Sequence, residues 1–121
     1  MNLNALKAQL RLHEGVRAKP YMDTVGKITI GVGRNLSDKG LSAQEVDDLL
    51  VNDIDECVAD LATFPWFSTL DEVRQHVLID LRFNLGPSRF RTFRKMLTAG
   101  EASQWEEAAA QLVDSEWSTH V

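Results

Sequence analysis

Cysteine is nearly missing from these 121 residues: Cys57 stands alone, which excludes an internal disulfide and leaves no second thiol to share a metal. Histidine is scarce too, and none of His13, His76 and His120 has a Cys, Asp or Glu partner at a convincing metal-ligand spacing, so no metal is expected. Long apolar runs are absent. Met1 to Leu12 mixes Leu and Ala with Asn, Lys, Gln and Arg, which is neither the core of a signal peptide nor a membrane span. Synthesis in a cytoplasm and no stable membrane association are the expectations. Positive charge is in deficit, 13 Lys and Arg against 18 Asp and Glu for a net −5, so the overall field does not attract nucleic acid. Repeats and low-complexity segments are also lacking, and the length suits one domain over 1–121.

What is present centres on His13 to Gly33. Leu3, Leu6, Leu10 and Val16 recur at nearly helical spacing, which predicts an amphipathic first helix stopping at Gly15 with Glu14 in its last turn. A carboxylate there feels the negative end of the helix dipole, which favours its protonated form and suits a general acid. The chain then turns through Pro20. Tyr21 to Val32 reads as a small antiparallel sheet, with Asp23-Thr24-Val25-Gly26 as the turn and Lys27 to Val32 as the returning strand, closing on Gly31 and Gly33. Arg34 to Leu41 reads as a polar loop. Ser42-Ala43-Gln44-Glu45 has the form of a capping box opening a helix, and Val46, Leu49, Leu50, Ile54, Cys57, Val58 and Leu61 then make one apolar stripe.

Phe64-Pro65-Trp66 breaks that helix, and Thr69-Leu70-Asp71-Glu72 resembles a second capping box, starting a helix that runs to Gly86-Pro87. Its residues Val73, Val77, Leu78, Ile79, Leu81, Phe83 and Leu85 are apolar around most of the girth, so a central buried helix is expected. A short helix through Phe90, Phe93, Met96 and Leu97 to Gly100 follows, then another capped by Ser103-Gln104-Trp105-Glu106.

Two carboxylates and a hydroxyl thus fall on one short path. Cleavage of a glycosidic bond needs one carboxyl protonated to donate to the leaving oxygen and another ionised to deal with water or the oxocarbenium-like centre. Glu14 fits the first role and Asp23 the second. Each has a plainer alternative: Glu14 as a solvated helix-end carboxylate, Asp23 as a turn former, Thr29 as an ordinary strand residue. Only the constellation lifts the three together. Asn35 is either a ligand contact or a turn former, and Arg89, Arg91, Arg94 and Lys95 are either a patch for an anionic surface or a solvated helix face.

Glu14-Gly15-Val16-Arg17, Tyr21-Met22-Asp23-Thr24, Gly26 and Thr29-Ile30-Gly31-Val32-Gly33, in that order, resemble the phage-type lysozymes, the T4-lysozyme-like family of peptidoglycan-cleaving endolysins. Phe83-Asn84-Leu85-Gly86, Met96-Leu97 and Trp105-Glu106-Glu107-Ala108-Ala109 extend the likeness over almost the whole chain. The resemblance implies an α+β, lysozyme-like fold: an N-terminal lobe over 1–45 with a β-hairpin or three-stranded sheet, a connecting helix over 42–64 and a helical C-terminal lobe over 65–121. It also implies Glu14 as general acid, Asp23 as second carboxylate and Thr29 as the hydroxyl steadying the water. Phe83 and Asn84 would face the substrate, with Asn35 and Arg34 as further contacts.

Two departures stand out. Where family members often carry His this chain has Arg34, and arginine keeps positive charge but cannot titrate near neutrality. Relatives also continue past Trp117 with an Arg-containing stretch and a final helix, so a C-terminal lobe without its last helix is expected. The implied function is an endolysin that hydrolyses the β-1,4 bond between N-acetylmuramic acid and N-acetylglucosamine by inversion, without a cofactor. Its partner is the peptidoglycan glycan strand. Synthesis would be in the host cytoplasm and action in the periplasm, with a holin providing access. The rival readings are a lytic transglycosylase and a wall-binding lysozyme-fold protein without turnover.

Overall fold

The structure, a computed structural model, describes residues 1–93. Expectations for Arg94, Lys95, Met96, Leu97 and everything beyond, including the helix opened by Ser103, lie outside the described residues. The chain divides into two compact units, Met1–Asp47 and a second beginning at Asp48.

The first unit opens with α1 (Leu3–Glu14). The Asn2 side chain caps it by accepting from the Ala5 N–H at 3.0 Å. Gly15, at φ 78°, ends it and returns its N–H to the Arg11 carbonyl at 2.9 Å. None of its residues is buried, and the Leu3, Leu6 and Leu10 stripe remains exposed. Next come β1 (Arg17–Met22), β2 (Ile28–Gly31) and β3 (Arg34–Asn35), an antiparallel sheet in the order β1-β2-β3. Two expectations need correcting here. Pro20 lies within β1 rather than in a turn, tolerated because β1 is an edge strand whose register with β2 shifts between Arg17 and Tyr21, where a missing N–H leaves no ladder bond unmade. Arg34 and Asn35 are strand rather than loop, paired with Ile30 and Thr29.

The capping box is formed as expected: Glu45 N–H donates to Ser42 Oγ at 3.1 Å, and Ser42 N–H donates to Glu45 Oε1 at 2.9 Å. It opens α2 (Ala43–Leu61), which crosses the division between the units. Of the predicted stripe on α2, only Cys57 and Leu61 are buried, while Val46, Leu49, Leu50 and Val58 are exposed.

In the second unit a 3-10 turn (Phe67–Thr69) leads into α3 (Glu72–Arg91). The cap is Asp71, whose side chain accepts from the Arg74 N–H at 2.8 Å. Thr69 does not cap, because its hydroxyl donates to the Trp66 carbonyl within the 3-10 turn. At Gly86 the backbone takes φ 80°, ψ 170°, breaking α3 where Gly-Pro predicted a stop; Pro87 then starts the last helical stretch. The core is Leu61, Trp66, Phe67, Leu78, Leu81 and Phe90, with Phe64, Leu70, Ile79, Leu85 and Phe93 packed around it. The expectation of a central buried helix holds for one face of α3 only. Leu78, Leu81 and Arg82, spaced three and four apart, face inward, whereas Val73, Val77 and Phe83 are exposed on the other side.

The interior face of α3 carries a charge. Arg82 is 5% exposed and donates through Nε to Asp60 Oδ2 at 2.6 Å. Arg91 donates to both Asp60 oxygens, at 2.8 and 2.6 Å, with its guanidinium 5.4 Å from the Phe64 ring centre. Arg91 therefore serves the ion network rather than forming a freely solvated face.

Candidate active site

Glu14 is the last residue of α1, and the reversal at Gly15 leaves its carboxyl against the backbone between β2 and β3. A Cβ built on Gly33, at φ 70°, would lie 3.2 Å from Glu14 Oε2. Gly33 is thus doubly required: an L side chain would strain the backbone and crowd the carboxyl.

Asp23 sits immediately after β1. Its Oδ1 accepts from the N–H groups of Val25 at 2.9 Å and Lys27 at 2.8 Å, and its own N–H donates to the Lys27 carbonyl at 2.9 Å. These bonds close the turn and fix the carboxylate's orientation, while Oδ2 makes no bond among the described residues. Thr29, in the middle strand, is 4% exposed and donates its hydroxyl to the Lys27 carbonyl at 3.1 Å. Tyr21 and Asn35 are its register partners on either side, so all three share one sheet face. One unit therefore carries Glu14, Asp23 and Thr29 on the end, turn and centre of adjoining elements.

Arg34 Nη1 donates to Glu45 Oε1 at 2.7 Å and to the Gly40 carbonyl at 3.2 Å. The guanidinium holds the Glu45 carboxyl down at about 2, with further help from the Ser42 N–H, and Glu45 in turn raises Arg34. Asn35 spends its amide on a turn: Nδ2 donates to Asp38 Oδ2 and Oδ1 accepts from the Asp38 N–H, each at 3.0 Å. Gly31, Gly33, Arg34, Asn35, Lys39 and Glu45 line an open groove of about 630 Å³. The sequence signalled Glu45 only as a cap; its pairing with Arg34 carries no local motif.

Phe83 and Asn84 belong to the second unit. Phe83 is half-exposed and lines a groove of about 400 Å³ with Leu50, Ile54, His76, Ile79 and Asp80. Asn84 Nδ2 donates to the carbonyl and to Oδ1 of Asp80, both at 2.8 Å, one turn back on the same helix. Among the described residues no group of three or more His, Cys, Asp or Glu is arranged to hold a metal ion.

Among the described residues, a three-stranded antiparallel sheet with three helices, a carboxylate at the end of the first helix and a Gly-x-Gly crossing between strands make an α+β, lysozyme-like arrangement. The phage lysozyme family model matches residues 11–120, and the chain belongs to that family. It is similar to probable T4-type lysozyme 2 of Dictyostelium discoideum, 27% identical over 147 aligned positions that cover 97% of this chain and 86% of the relative. Probable T4-type lysozyme 1 of the same organism is 26% identical, with 95% and 85% covered. The pre-baseplate central spike protein Gp5 of Enterobacteria phage T4 is 29% identical over a stretch covering 93% of this chain and 25% of that protein. Membership places the chain among glycoside hydrolases, with muramidase-like hydrolysis of peptidoglycan as the family-level activity.

Proposed function

We propose that the protein hydrolyses the β-1,4 bond between N-acetylmuramic acid and N-acetylglucosamine, inverting the anomeric centre. The carrying observation is the Glu14 carboxyl held against Gly33 in the turn that follows the strand bearing Thr29, with Asp23 locked in the turn before that strand. In this reading Glu14 donates a proton to the leaving oxygen. Asp23, using the carboxylate oxygen not engaged in the turn, and Thr29, using its hydroxyl lone pairs, hold the water that attacks the far face of the sugar. Inversion requires room for that water, which corresponds to carboxyl groups roughly 6.5 to 9.5 Å apart in inverting enzymes. Asn35 and Arg34 lie along the groove beside Gly33, and Phe83, in a groove of its own unit, is a further candidate for sugar contact.

The biological role in this reading is host lysis: synthesis in the host cytoplasm, then action on periplasmic peptidoglycan reached through a holin. Among the described residues no helix is long and apolar enough to cross a membrane. The decisive experiment follows purified peptidoglycan by reducing-sugar release and by NMR of the first-formed anomer. Glu14→Gln is expected to lose about 10² to 10⁴ in rate with unchanged melting temperature, since general acid catalysis supplies that much. Near-normal turnover in Glu14→Gln removes Glu14 from the mechanism, and an initial product of retained configuration removes inversion. Anhydro-sugar ends in the mass spectrum assign a lytic transglycosylase instead, and wall binding without sugar release assigns a non-catalytic binder.

A further inference from the structure

Gly33 touches Glu14 on one side and is followed directly by Arg34, which is tied to the N-terminus of α2 on the other. Gly33 has no side chain to anchor it, and its φ of 70° belongs to a residue type free to vary widely. Its position is set by what lies on either side: the Ile30–Arg34 and Thr29–Asn35 pairings of β2 with β3, and the Arg34 side chain. That side chain is 27% exposed and makes two charge-assisted hydrogen bonds across the loop, to Gly40 and to Glu45. The Glu45 oxygen it meets is the one that also accepts from the Ser42 N–H, so helix cap and strand are joined at a single atom. By contrast, Lys27–Asp38, the other ion pair of the sheet region, is 42% and 59% exposed and ends on a flexible ammonium.

We propose that Arg34 and Glu45 are positioning residues for the general acid: their ion pair anchors β3 to the α2 cap and so holds the Gly33 backbone against Glu14. This rests on the hydrolase reading of Glu14 given above. A fixed wall beside the carboxyl limits where it can point, and orientation of a catalytic group within a fraction of an ångström carries large rate effects. Arg34 thereby acts through Gly33 rather than on the sugar. Glu45→Gln separates this role from helix capping, because Gln serves equally at that position of a capping box and keeps the bond from Ser42.

The test measures kcat and KM on soluble peptidoglycan fragments for wild type, Arg34→Met, Glu45→Gln, the double variant and Arg34→Lys. In parallel, NMR follows the Glu14 carboxyl carbon and the Gly33 amide. Arg34→Met is expected to lower kcat about 10- to 100-fold with KM within about twofold. The double variant should be no worse than Arg34→Met alone, and Arg34→Lys should recover part of the loss. Glu14 and Gly33 signals should move in Arg34→Met and stay in place in Lys27→Met, which breaks only the exposed pair. A raised KM with unchanged kcat makes Arg34 a substrate contact and overturns the positioning role, as does additivity in the double variant. An inactive wild type sinks the hydrolase reading whatever the NMR shows. An active wild type with unmoved Glu14 and Gly33 signals in Arg34→Met sinks the positioning role alone.

Discussion

The two units are held by different physics. The second has a core of Leu61, Trp66, Phe67, Leu78, Leu81 and Phe90 built by apolar burial, with Phe64 stacked obliquely on Trp66 at 5.4 Å and edge-on to Phe90 at 6.3 Å. Among residues 1–47 only Thr29 is buried, and it is polar. That unit relies instead on directional bonds: the Asp23 turn, the Asn35–Asp38 turn, the Ser42–Glu45 box and the Arg34–Glu45 pair. Apolar burial is non-directional and sums over many atoms, whereas a hydrogen bond fixes an angle through one atom pair. The unit bearing Glu14, Asp23 and Thr29 is therefore the one whose geometry single atoms decide.

The largest expected effect tests the apolar side of this contrast. Phe90→Ala removes a fully buried ring and should lower stability by about 3–5 kcal/mol in denaturant unfolding. If the contrast is sound, the amide shifts of Thr29 and Gly33 in the remaining folded protein stay where they were; their collapse would show that the first unit depends on this core. Asp60→Ala comes next, at about 3 kcal/mol, because it leaves the buried Arg82 guanidinium with only the exposed Glu56 carboxylate at 3.9 Å.

The same carboxylate gives a pH signature. Arg91 foremost, with Arg82, holds Asp60 at about 2 against an ordinary 3.8. A lowered folded value means the contribution is complete above pH 3.8 and fades as pH falls toward 2. Asp60→Asn should flatten that acid branch of stability measured by urea midpoints, and an unchanged branch would remove the network from the account.

Smaller effects belong to the first unit. Gly33→Ala places a Cβ at positive φ, worth about 1–2 kcal/mol, and crowds Glu14 as well. Its activity loss should exceed what lowered stability explains, as read by kcat at a temperature where the variant is fully folded. Ser42→Ala should remove about 1 kcal/mol through the lost cap and leave kcat nearly intact if Arg34 still holds Glu45. A large kcat loss there would shift the weight from the ion pair to the cap.

Much of the first unit was legible in the sequence because its signals are local. Gly15 with Arg11, Asp23 with Val25 and Lys27, and Ser42 with Glu45 are all bonds spanning at most four residues. Pro20 misled because a proline also fits an edge strand at a register shift, and edge status is decided by which strands pair. α3 misled because a helix that is apolar by composition still presents only one face to its core, leaving Val73, Val77 and Phe83 exposed.

The order of residues by itself determined the Ser42–Glu45 box, the Asp23 turn, the break at Gly86 and the succession of Glu14, Asp23 and Thr29, since each depends on chain spacing and intrinsic backbone preference. Only the tertiary structure decided that Arg34 meets Glu45 eleven residues away, that Asp60 gathers Arg82 and Arg91 from 22 and 31 residues on, and that Gly33 lies against Glu14. Those contacts join groups with no fixed spacing in the chain, and they exist because strand pairing and helix packing bring distant backbone within hydrogen-bond reach.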